Sequence, residues 1–318
     1  MRLADREAGI PGEFIVRLRD GAEDETVVER EILRDSHGRV IASLGGNRGF
    51  VARLDSVALG RALRNASVRY VEQSVRLLPD AAVQHQNVPA NAWHLDRIDQ
   101  QQQSPNGVYS YRYTGAGVRI WIVDTGVDPS HPDLVGRVDQ LYYFTYNWTD
   151  PFAPCFWHGT PAAVVAAGTT YGVAKGATIN VARVSDDCNS GAMSSAAAAS
   201  AIYFIADYSP KPAIINASFG GQCPWYYPWC ASSLQDAVNY AKSRGVPVIA
   251  SAGNDGSDAC DHYPASFASL AVGASDPNDS RVSNSLWASS YGGCVDLFAP
   301  GISIGVGQDQ YFGEQSAW

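Results

Sequence analysis

The stretch "GVRIWIVDTG", residues 117–126, decides the fold class predicted for this chain of 318 residues. It is a short apolar run that ends in Asp124 and Gly126. Four more such runs follow it: 178–184, 213–218, 246–251 and 270–275. Apolar runs that do not alternate with polar residues are typical of strands buried on both faces of a parallel sheet. Helical stretches lie between them: 161–168, 194–207 and 232–245. Alternating strands and helices predict a doubly wound α/β domain with a parallel sheet.

Residues 12–78 predict a separate, smaller unit. Strand-like and helix-like stretches follow each other in the order β-α-β-α-β: 13–19, 25–36, 49–54, 56–66 and 68–73. This order favours a ferredoxin-like α+β domain. Residues 79–114 are rich in Gln, Asn and Pro and lack periodicity, which indicates an exposed connection. We expect its first part, 79–92, to be a linker open to proteolytic cutting, with the large domain at 93–318.

Composition excludes several classes of partner. The formal net charge is −9, the isoelectric point is about 5.1, and no basic stripe with interleaved aromatic residues argues for a nucleic acid. No apolar run approaches the ~20 residues that a membrane-spanning helix needs. The first residues, "MRLADREAGIPGEF", lack the apolar core of a signal peptide.

Six cysteines all lie in the larger part: Cys155, Cys188, Cys223, Cys230, Cys260 and Cys294. They form neither a CxxC pair nor a cluster with zinc spacing. Their even number favours disulfides and an oxidising, extracellular compartment. Because no signal peptide is visible, this interpretation requires that the recorded start is not the natural one. A cytosolic protein with six free thiols is the alternative.

Three polar residues follow predicted strands or precede a predicted helix. Asp124 closes the strand of the opening stretch, His158 begins "HGTPAAVVAAG", and Asn254 follows "VIASAG". A carboxylate that orients an imidazole is half of a nucleophile-activating triad, and an asparagine amide can donate to a developing oxyanion. Taken singly, each residue fits a turn or a structural role better than a catalytic one.

The ordered motifs around these residues resemble the subtilisin-like serine peptidases, and the proteinase K branch in particular. The matching segments are "IVDTGVDPSHPDL", "HGT" with "YGVAKGA", "NASFGG", "ASAGNDG", "YPASF" and "VDLFAPG". "AWHLDRIDQ" is similar to the start of a mature peptidase of this branch, and residues 12–78 are similar to its inhibitory propeptide. The resemblance covers residues 12 to 301. It implies a subtilisin-like α/β domain preceded by a small ferredoxin-like propeptide.

The resemblance implies a role for each matched position. Asp124 would orient the base, His158 would act as general base and then acid, and Asn254 would donate to the oxyanion. It implies a monomeric peptidase whose partners are its polypeptide substrate and its own propeptide, with an apolar or aromatic P1 side chain preferred. Eight positions would bind the substrate: Ser190, Gly191, Ser218, Phe219, Gly220, Ser251, Ala252 and Gly253.

The resemblance also implies disulfides Cys155–Cys188 and Cys260–Cys294. Cys223 and Cys230 remain, and in "CPWYYPWC" they are close enough to form a small loop. No cofactor is required for the chemistry. Asp296 matches a calcium ligand of the family, whose other ligands are backbone carbonyls near Ala268 and Leu270. An aspartate in a local turn is the alternative.

Several positions depart from the family pattern. Trp157 stands in place of a glycine, Pro161 in place of a second histidine and Val164 in place of a helix glycine, so His158 is expected to be less well held. Met193 stands where this branch often has an aromatic residue, which makes the outer substrate pocket harder to predict.

The largest departure concerns the nucleophile. After "FAPG" the family continues to a G-T-S-x-A-x-P turn whose serine begins a buried helix, and the 318 residues contain no such motif. Ser316 in "GEQSA" has neither the spacing nor a following helix, so it is not expected to be catalytic. The chain is therefore expected to lack the nucleophile and its helix.

Three hypotheses remain open. The first is a secreted serine endopeptidase zymogen recorded incompletely at both ends and cut within 79–90. The second is a pseudo-peptidase that binds extended peptides or a partner protein without cutting them. The third is that residues 12–78 act alone as a peptidase inhibitor.

Overall fold

The computed structural model describes residues 9–75, 83–101, 104–145, 158–187, 190–223, 231–284, 287–309 and 313–317. The chain divides into two compact units, Met1–Asp80 and Ala81–Trp318.

The first unit is a four-stranded antiparallel sheet with two helices. Its elements are β1 (Gly9–Leu18), α1 (Glu25–Leu33), β2 (Arg39–Ser43), β3 (Gly49–Arg53), α2 (Ser56–Ala62) and β4 (Val68–Val75). The strand order is β2-β3-β1-β4. Both helices share one core with the sheet, in which Val16, Ile32 and Phe50 are fully buried.

The sequence interpretation of this unit missed β2. The strand lies at the sheet edge, where most of its side chains are exposed, so it has no alternation that would identify it. The observed order is therefore β-α-β-β-α-β. Helix α1 also ends earlier than predicted, because Asp35 takes a φ of +51°, which a helix cannot accommodate.

The second unit contains thirteen described strands and four described α-helices. They are β5 (Gln84–Asn87), α3 (Trp93–Ile98), β6 (Val108–Tyr111), β7 (Arg119–Asp124), β8 (Val138–Tyr143), α4 (Gly159–Ala167), β9 (Thr178–Arg183), α5 (Ser195–Tyr208), β10 (Ala213–Ala217), β11 (Gly221–Gln222), α6 (Ser232–Ser243), β12 (Val248–Ser251), β13 (His262–Tyr263), β14 (Leu270–Ser275), β15 (Leu297–Pro300), β16 (Ile304–Asp309) and β17 (Gly313–Ala317).

Seven of these strands form a wholly parallel sheet in the order β15-β14-β12-β10-β7-β9-β8. The five predicted strands are all in it, and the predicted doubly wound α/β class is confirmed. The sequence missed β8 and β15, which lie at the two edges of the sheet. Because edge strands are not buried on both faces, their burial is partial and their apolar runs are interrupted.

The stretch 79–114, predicted to be an exposed connection, contains secondary structure in its described part. Strands β5 and β6 pair there in antiparallel register, with α3 between them. Leu95 and Tyr109 are buried in a small core at this place. The strands were missed because β5, "QHQN", consists of polar residues whose backbone alone makes the ladder.

Helices cover the two faces of the large sheet unequally. On one face Trp121, Ile215 and Val248 form a buried cluster with residues of α5 and α6. On the other face α4 packs over β7 and β9, where Ile122 and Val181 are fully buried. The strands β10, β12 and β14 alternate between buried residues on the first face and half-buried residues on the second.

The half-buried residues of the second face include Ile214, Ile249 and Leu270, which the strand register aligns with Ile120 and Ile122. Within the described ranges they belong to none of the buried clusters. We call the face formed by Ile214, Ile249 and Leu270 the open face. The described elements thus leave one half of this face without a covering helix.

Candidate active site

Asp124 and His158 form a hydrogen-bonded pair at the carboxyl end of β7. The carboxylate of Asp124 is completely buried, and its Oδ1 accepts from the Thr125 amide at 2.6 Å. His158 precedes the first residue of α4, and its Nδ1 lies 2.8 Å from Oδ1 and 3.0 Å from Oδ2 of Asp124. The strand and the helix start therefore bring together two residues that are 34 positions apart.

Two glycines and two hydroxyls explain why α4 begins at this place. A Cβ on Gly159 would lie 2.1 Å from the carbonyl oxygen of Gly126, so this close approach requires a glycine. Gly126 itself has a φ of +115°. The Gly159 amide donates to Thr125 Oγ1 at 3.1 Å, and the Asp128 amide donates to Thr160 Oγ1 at 2.9 Å. The loop after β7 and the start of α4 are thus fixed against each other.

The described departures from the family pattern do not break this pair. Val164 is fully buried in the cluster that contains Ile122, so its side chain fills space in the core. Pro161 lies in the first turn of α4, where a backbone N–H has no partner within the helix. Trp157 lies outside the described residues. The expectation that these changes weaken the hold on His158 stays a prediction.

Asp124 also shifts the acidity of the imidazole. Burial alone lowers the pKa of His158, but the hydrogen bond and the negative charge of Asp124 outweigh it, so the pKa is raised above its ordinary value of 6.5. A raised pKa means that the pair stabilises the folded state fully below pH 6.5. That contribution is lost as the pH rises through the folded-state pKa.

We expect an NMR titration of ¹⁵N-histidine-labelled protein to give His158 a pKa above 6.5. In Asp124→Asn the value should fall below 6.5, because burial then acts without the opposing charge. The His158→Gln variant assigns the resonance among the six histidines. A His158 pKa that is the same in both proteins contradicts the coupling.

A cleft of about 380 Å³ begins at His158 and runs between two chain segments. Gly191 and Met193 line one side, and Ser218, Phe219 and Gly220 line the other. The predicted residue Ser190 is exposed and is not part of this lining; its hydroxyl donates to the carboxylate of Asp187. The cleft thus connects His158 with four of the predicted substrate-binding positions: Gly191, Ser218, Phe219 and Gly220.

A second pocket of about 410 Å³ shares Ser218, Phe219 and Gly220 with the cleft and includes Ser251, Gly253 and Asn254. Asn254 is exposed, and its backbone carbonyl accepts from the Ala288 amide at 3.2 Å. The predicted residue Ala252 is buried, with its amide bonded to the Val272 carbonyl at 2.9 Å, so it supports the pocket from behind.

Three polar residues of this pocket were not identified from the sequence: Gln222, Asp255 and His262. The only sequence signal for Asp255 is its place after Asn254 in "GNDG". Gln222 and His262 are 40 positions apart and meet because β11 and β13 pair with each other. No spacing in the sequence indicates that pairing.

Ser316 lies in β17, where it pairs with Gly305 of β16. It is thus part of a hairpin strand and does not begin a helix. Cys260 and Cys294 form a disulfide bond. Cys223 is also disulfide-bonded, and Cys155, Cys188 and Cys230 lie outside the described residues.

The contacts around Asp296 do not fit a calcium site. Its Oδ2 accepts from the Ala271 amide at 2.7 Å, and the carbonyl of Ala268 accepts from the Lys242 ammonium at 3.2 Å. A positive charge beside a carbonyl opposes a divalent cation there. Leu270 is the first residue of β14. Over the described ranges, no three His, Cys, Asp or Glu residues are grouped so that they could hold a metal ion.

Comparison with known proteins agrees with this geometry. The model of the subtilase family matches residues 115–316. The chain belongs to the subtilase family. The "Extracellular serine proteinase" of Thermus sp. (strain Rt41A) is 40% identical over 81% of this chain and 58% of that protein. The "Alkaline serine exoprotease A" of Vibrio alginolyticus is 36% identical over 80% of this chain and 46% of that protein.

The "Alkaline serine protease ver112" of Corniculantispora psalliotae is 33% identical over 93% of this chain and 73% of that protein. A solved structure, a cold-adapted subtilisin-like serine proteinase, superposes with a TM-score of 0.61 at 34% identity and covers 73% of this chain and 76% of that one. This subtilase chain spans about half the length of the Thermus and Vibrio relatives. None of its described helices is both long and apolar enough to cross a membrane.

Proposed function

We propose that this subtilase is part of a secreted serine endopeptidase zymogen, with Asp124 and His158 as its orienting acid and general base. The observation that carries the proposal is the buried Asp124 carboxylate 2.8 Å from His158 Nδ1, at the end of a peptide-sized cleft. With Nδ1 donating to Asp124, the neutral imidazole has Nε2 as its basic nitrogen. Secretion is supported by the extracellular relative and by the disulfide bonds.

The reaction is acyl transfer followed by hydrolysis. His158 Nε2 takes the hydroxyl proton as the serine oxygen bonds to the scissile carbonyl carbon, and it then returns this proton to the leaving amine. Asp124 stabilises the imidazolium that forms between these steps. The Asn254 side chain donates to the oxyanion of the tetrahedral intermediate. The chain segments at Gly191 and at Ser218–Gly220 pair with the substrate backbone as added strands.

The serine is proposed to come from a segment that follows these 318 residues. Two observations support this assignment: Ser316 is in the β16–β17 hairpin, and the open face has no covering helix within the described elements. A G-T-S-x-A-x-P turn followed by a small-residue helix would supply both missing parts. We call the present chain continued through this segment the extended chain.

Translating the genomic sequence beyond codon 318 in all three frames tests this proposal. We expect the G-T-S-x-A-x-P motif and its helix within about a hundred codons, as the resemblance to the family implies. Three frames without the motif would leave a peptide-binding pseudo-peptidase as the better account. That alternative is supported by the cleft, which lies beside His158 and is formed by described residues.

The first unit is proposed to be the inhibitory propeptide. Its ferredoxin-like sheet order supports this, as does the Corniculantispora match, whose coverage of 93% of the chain includes most of Met1–Asp80. Titrating an isolated segment 9–75 against active relatives would show whether the unit also inhibits on its own.

The position of the processing cut follows from the strands on either side. β4 ends at Val75 and β5 begins at Gln84, and from there backbone bonds hold the chain to the second unit. Val88 N donates to the Gly107 carbonyl at 3.0 Å, and Gly305 N donates to the Asn91 carbonyl at 2.8 Å. A cut after Gln84 would release part of this ladder.

We therefore expect N-terminal sequencing of the matured extended chain to place the new N-terminus between residues 76 and 84. Trace amounts of an active relative, added to the 318-residue chain, should cut in the same interval. A mature N-terminus beyond Gln84 contradicts this prediction.

A further inference from the structure

The second pocket has an ionised carboxylate, Asp255, among its lining residues. Asp255 Oδ1 accepts from Ser257 Oγ at 2.8 Å and from Ser290 Oγ at 2.9 Å, and His262 Nε2 lies 3.1 Å from it. Burial raises the pKa of Asp255, but the hydrogen bonds from Ser257 and Ser290 and the neighbouring His262 lower it to about 2. The Asp255 carboxylate is thus ionised at neutral pH.

The Asp255 carboxylate can accept a hydrogen bond from a further donor. Its second oxygen, Oδ2, accepts from the side-chain amide of Gln222 and from no other described group. The Asp255 side chain is 40% exposed and lines the pocket. Because a carboxylate offers about four acceptor positions, a ligand that carries N–H groups can bond to Oδ2 without displacing a partner.

His262 fixes the carboxylate in this place. The imidazole is 7% exposed, and its Nε2 lies 2.8 Å from Ser257 Oγ and 3.1 Å from Asp255. The Nδ1–Cε1 edge of the His262 ring lies against Gly253. A Cβ at position 253 would lie 2.9 Å from both of these ring atoms. The β11–β13 pair sets Gln222 opposite His262, so the polar base of the pocket is built on strands.

The charge of the whole second unit has the same sign. Residues 81–318 contain 19 Asp and Glu against 10 Lys and Arg, while residues 1–80 contain 13 of each. The net negative charge of the chain therefore belongs to the peptidase unit. A field of this sign raises the local concentration of cationic ligands.

We propose that Asp255 makes this pocket accept a cationic P1 side chain, that of arginine or lysine. The inference rests on the proposed function, because it takes the second pocket as the P1 site of a peptide-binding cleft. It replaces the expectation of an apolar or aromatic P1 side chain. An aromatic ring would remove water from a fixed charge without giving it a hydrogen bond, which is unfavourable.

The test compares three tetrapeptides that end in arginine, citrulline or phenylalanine with a free carboxylate, as the N-terminal product of cleavage has. Citrulline has nearly the shape of arginine but no charge. Isothermal titration calorimetry on the matured extended chain, which no longer carries the first unit, should give the arginine peptide an affinity about fivefold above the citrulline peptide, as for a partly exposed ion pair. The phenylalanine peptide should bind more weakly than both.

The variant Asp255→Asn should bind the arginine and citrulline peptides equally. Asp236→Asn makes the same charge change at an exposed position of α6, away from the pocket, and should keep the fivefold difference. Equal affinities in the unchanged chain, or a difference that persists in Asp255→Asn, would overturn the inference. If none of the three peptides binds, the peptide-binding cleft itself is wrong, and the failure is that of the proposed function.

Discussion

Replacing Asp124 by asparagine in the extended chain is expected to lower kcat for peptide hydrolysis by about 10⁴. The carboxylate accepts from His158 Nδ1 and is fully buried, so it fixes which nitrogen carries the proton. An asparagine amide of the same shape can donate to Nδ1, which puts the proton on Nε2. Nε2 then cannot act as the base, although the geometry is unchanged.

Asp128→Asn is the matched control for this substitution. Asp128 is a buried aspartate of the same loop, but its carboxylate accepts from the amide and hydroxyl of Ser130 at 2.8 and 2.7 Å. This variant should keep kcat within about tenfold. If Asp124→Asn retains kcat to the same extent with an unchanged circular dichroism spectrum, Asp124 does not orient the base.

The second large effect concerns stability. Ile249→Ala should destabilise the extended chain by about 2–4 kcal/mol, the cost of truncating a fully buried side chain. In the 318-residue chain the same substitution should cost less than about 1 kcal/mol, because Ile249 lies on the open face and is only half buried there. Urea unfolding followed by tryptophan fluorescence measures both values.

Ile215→Ala provides the control on the opposite face. Ile215 is completely buried against α5 and α6, so its truncation should cost about 2–4 kcal/mol in both chains. Equal costs for Ile249→Ala in the two chains would mean that the downstream segment does not cover the open face. A helix that buries about 300 Å² of apolar surface there contributes about 7 kcal/mol before its ordering entropy is subtracted.

How much could be predicted from the sequence depended on burial. The central strands were recognised from their apolar runs, and the edge strands β2, β8 and β15 were missed because most of their side chains are exposed or only half buried. Strand β5 was missed because its pairing needs only the backbone.

The candidate site shows the same limit. Asp124 and His158 were identified because each stands at the end of a recognisable local pattern. The roles of Asp255, His262 and Gln222 depend on the β11–β13 pair and on a glycine that leaves room for an imidazole. These contacts form only in the tertiary structure, so the sequence does not indicate them. The neighbouring residues "SFG" favoured an apolar pocket instead.

The claim that the Asp124–His158 pair activates a serine downstream of residue 318 is tested most directly with a fluorophosphonate probe, which labels only activated serines. The account predicts that the extended chain is labelled at the serine of its G-T-S-x-A-x-P turn, and that His158→Ala abolishes this labelling. It predicts no labelling of the 318-residue chain, Ser316 included. Labelling of Ser316, or labelling of the extended chain that survives His158→Ala, would contradict it.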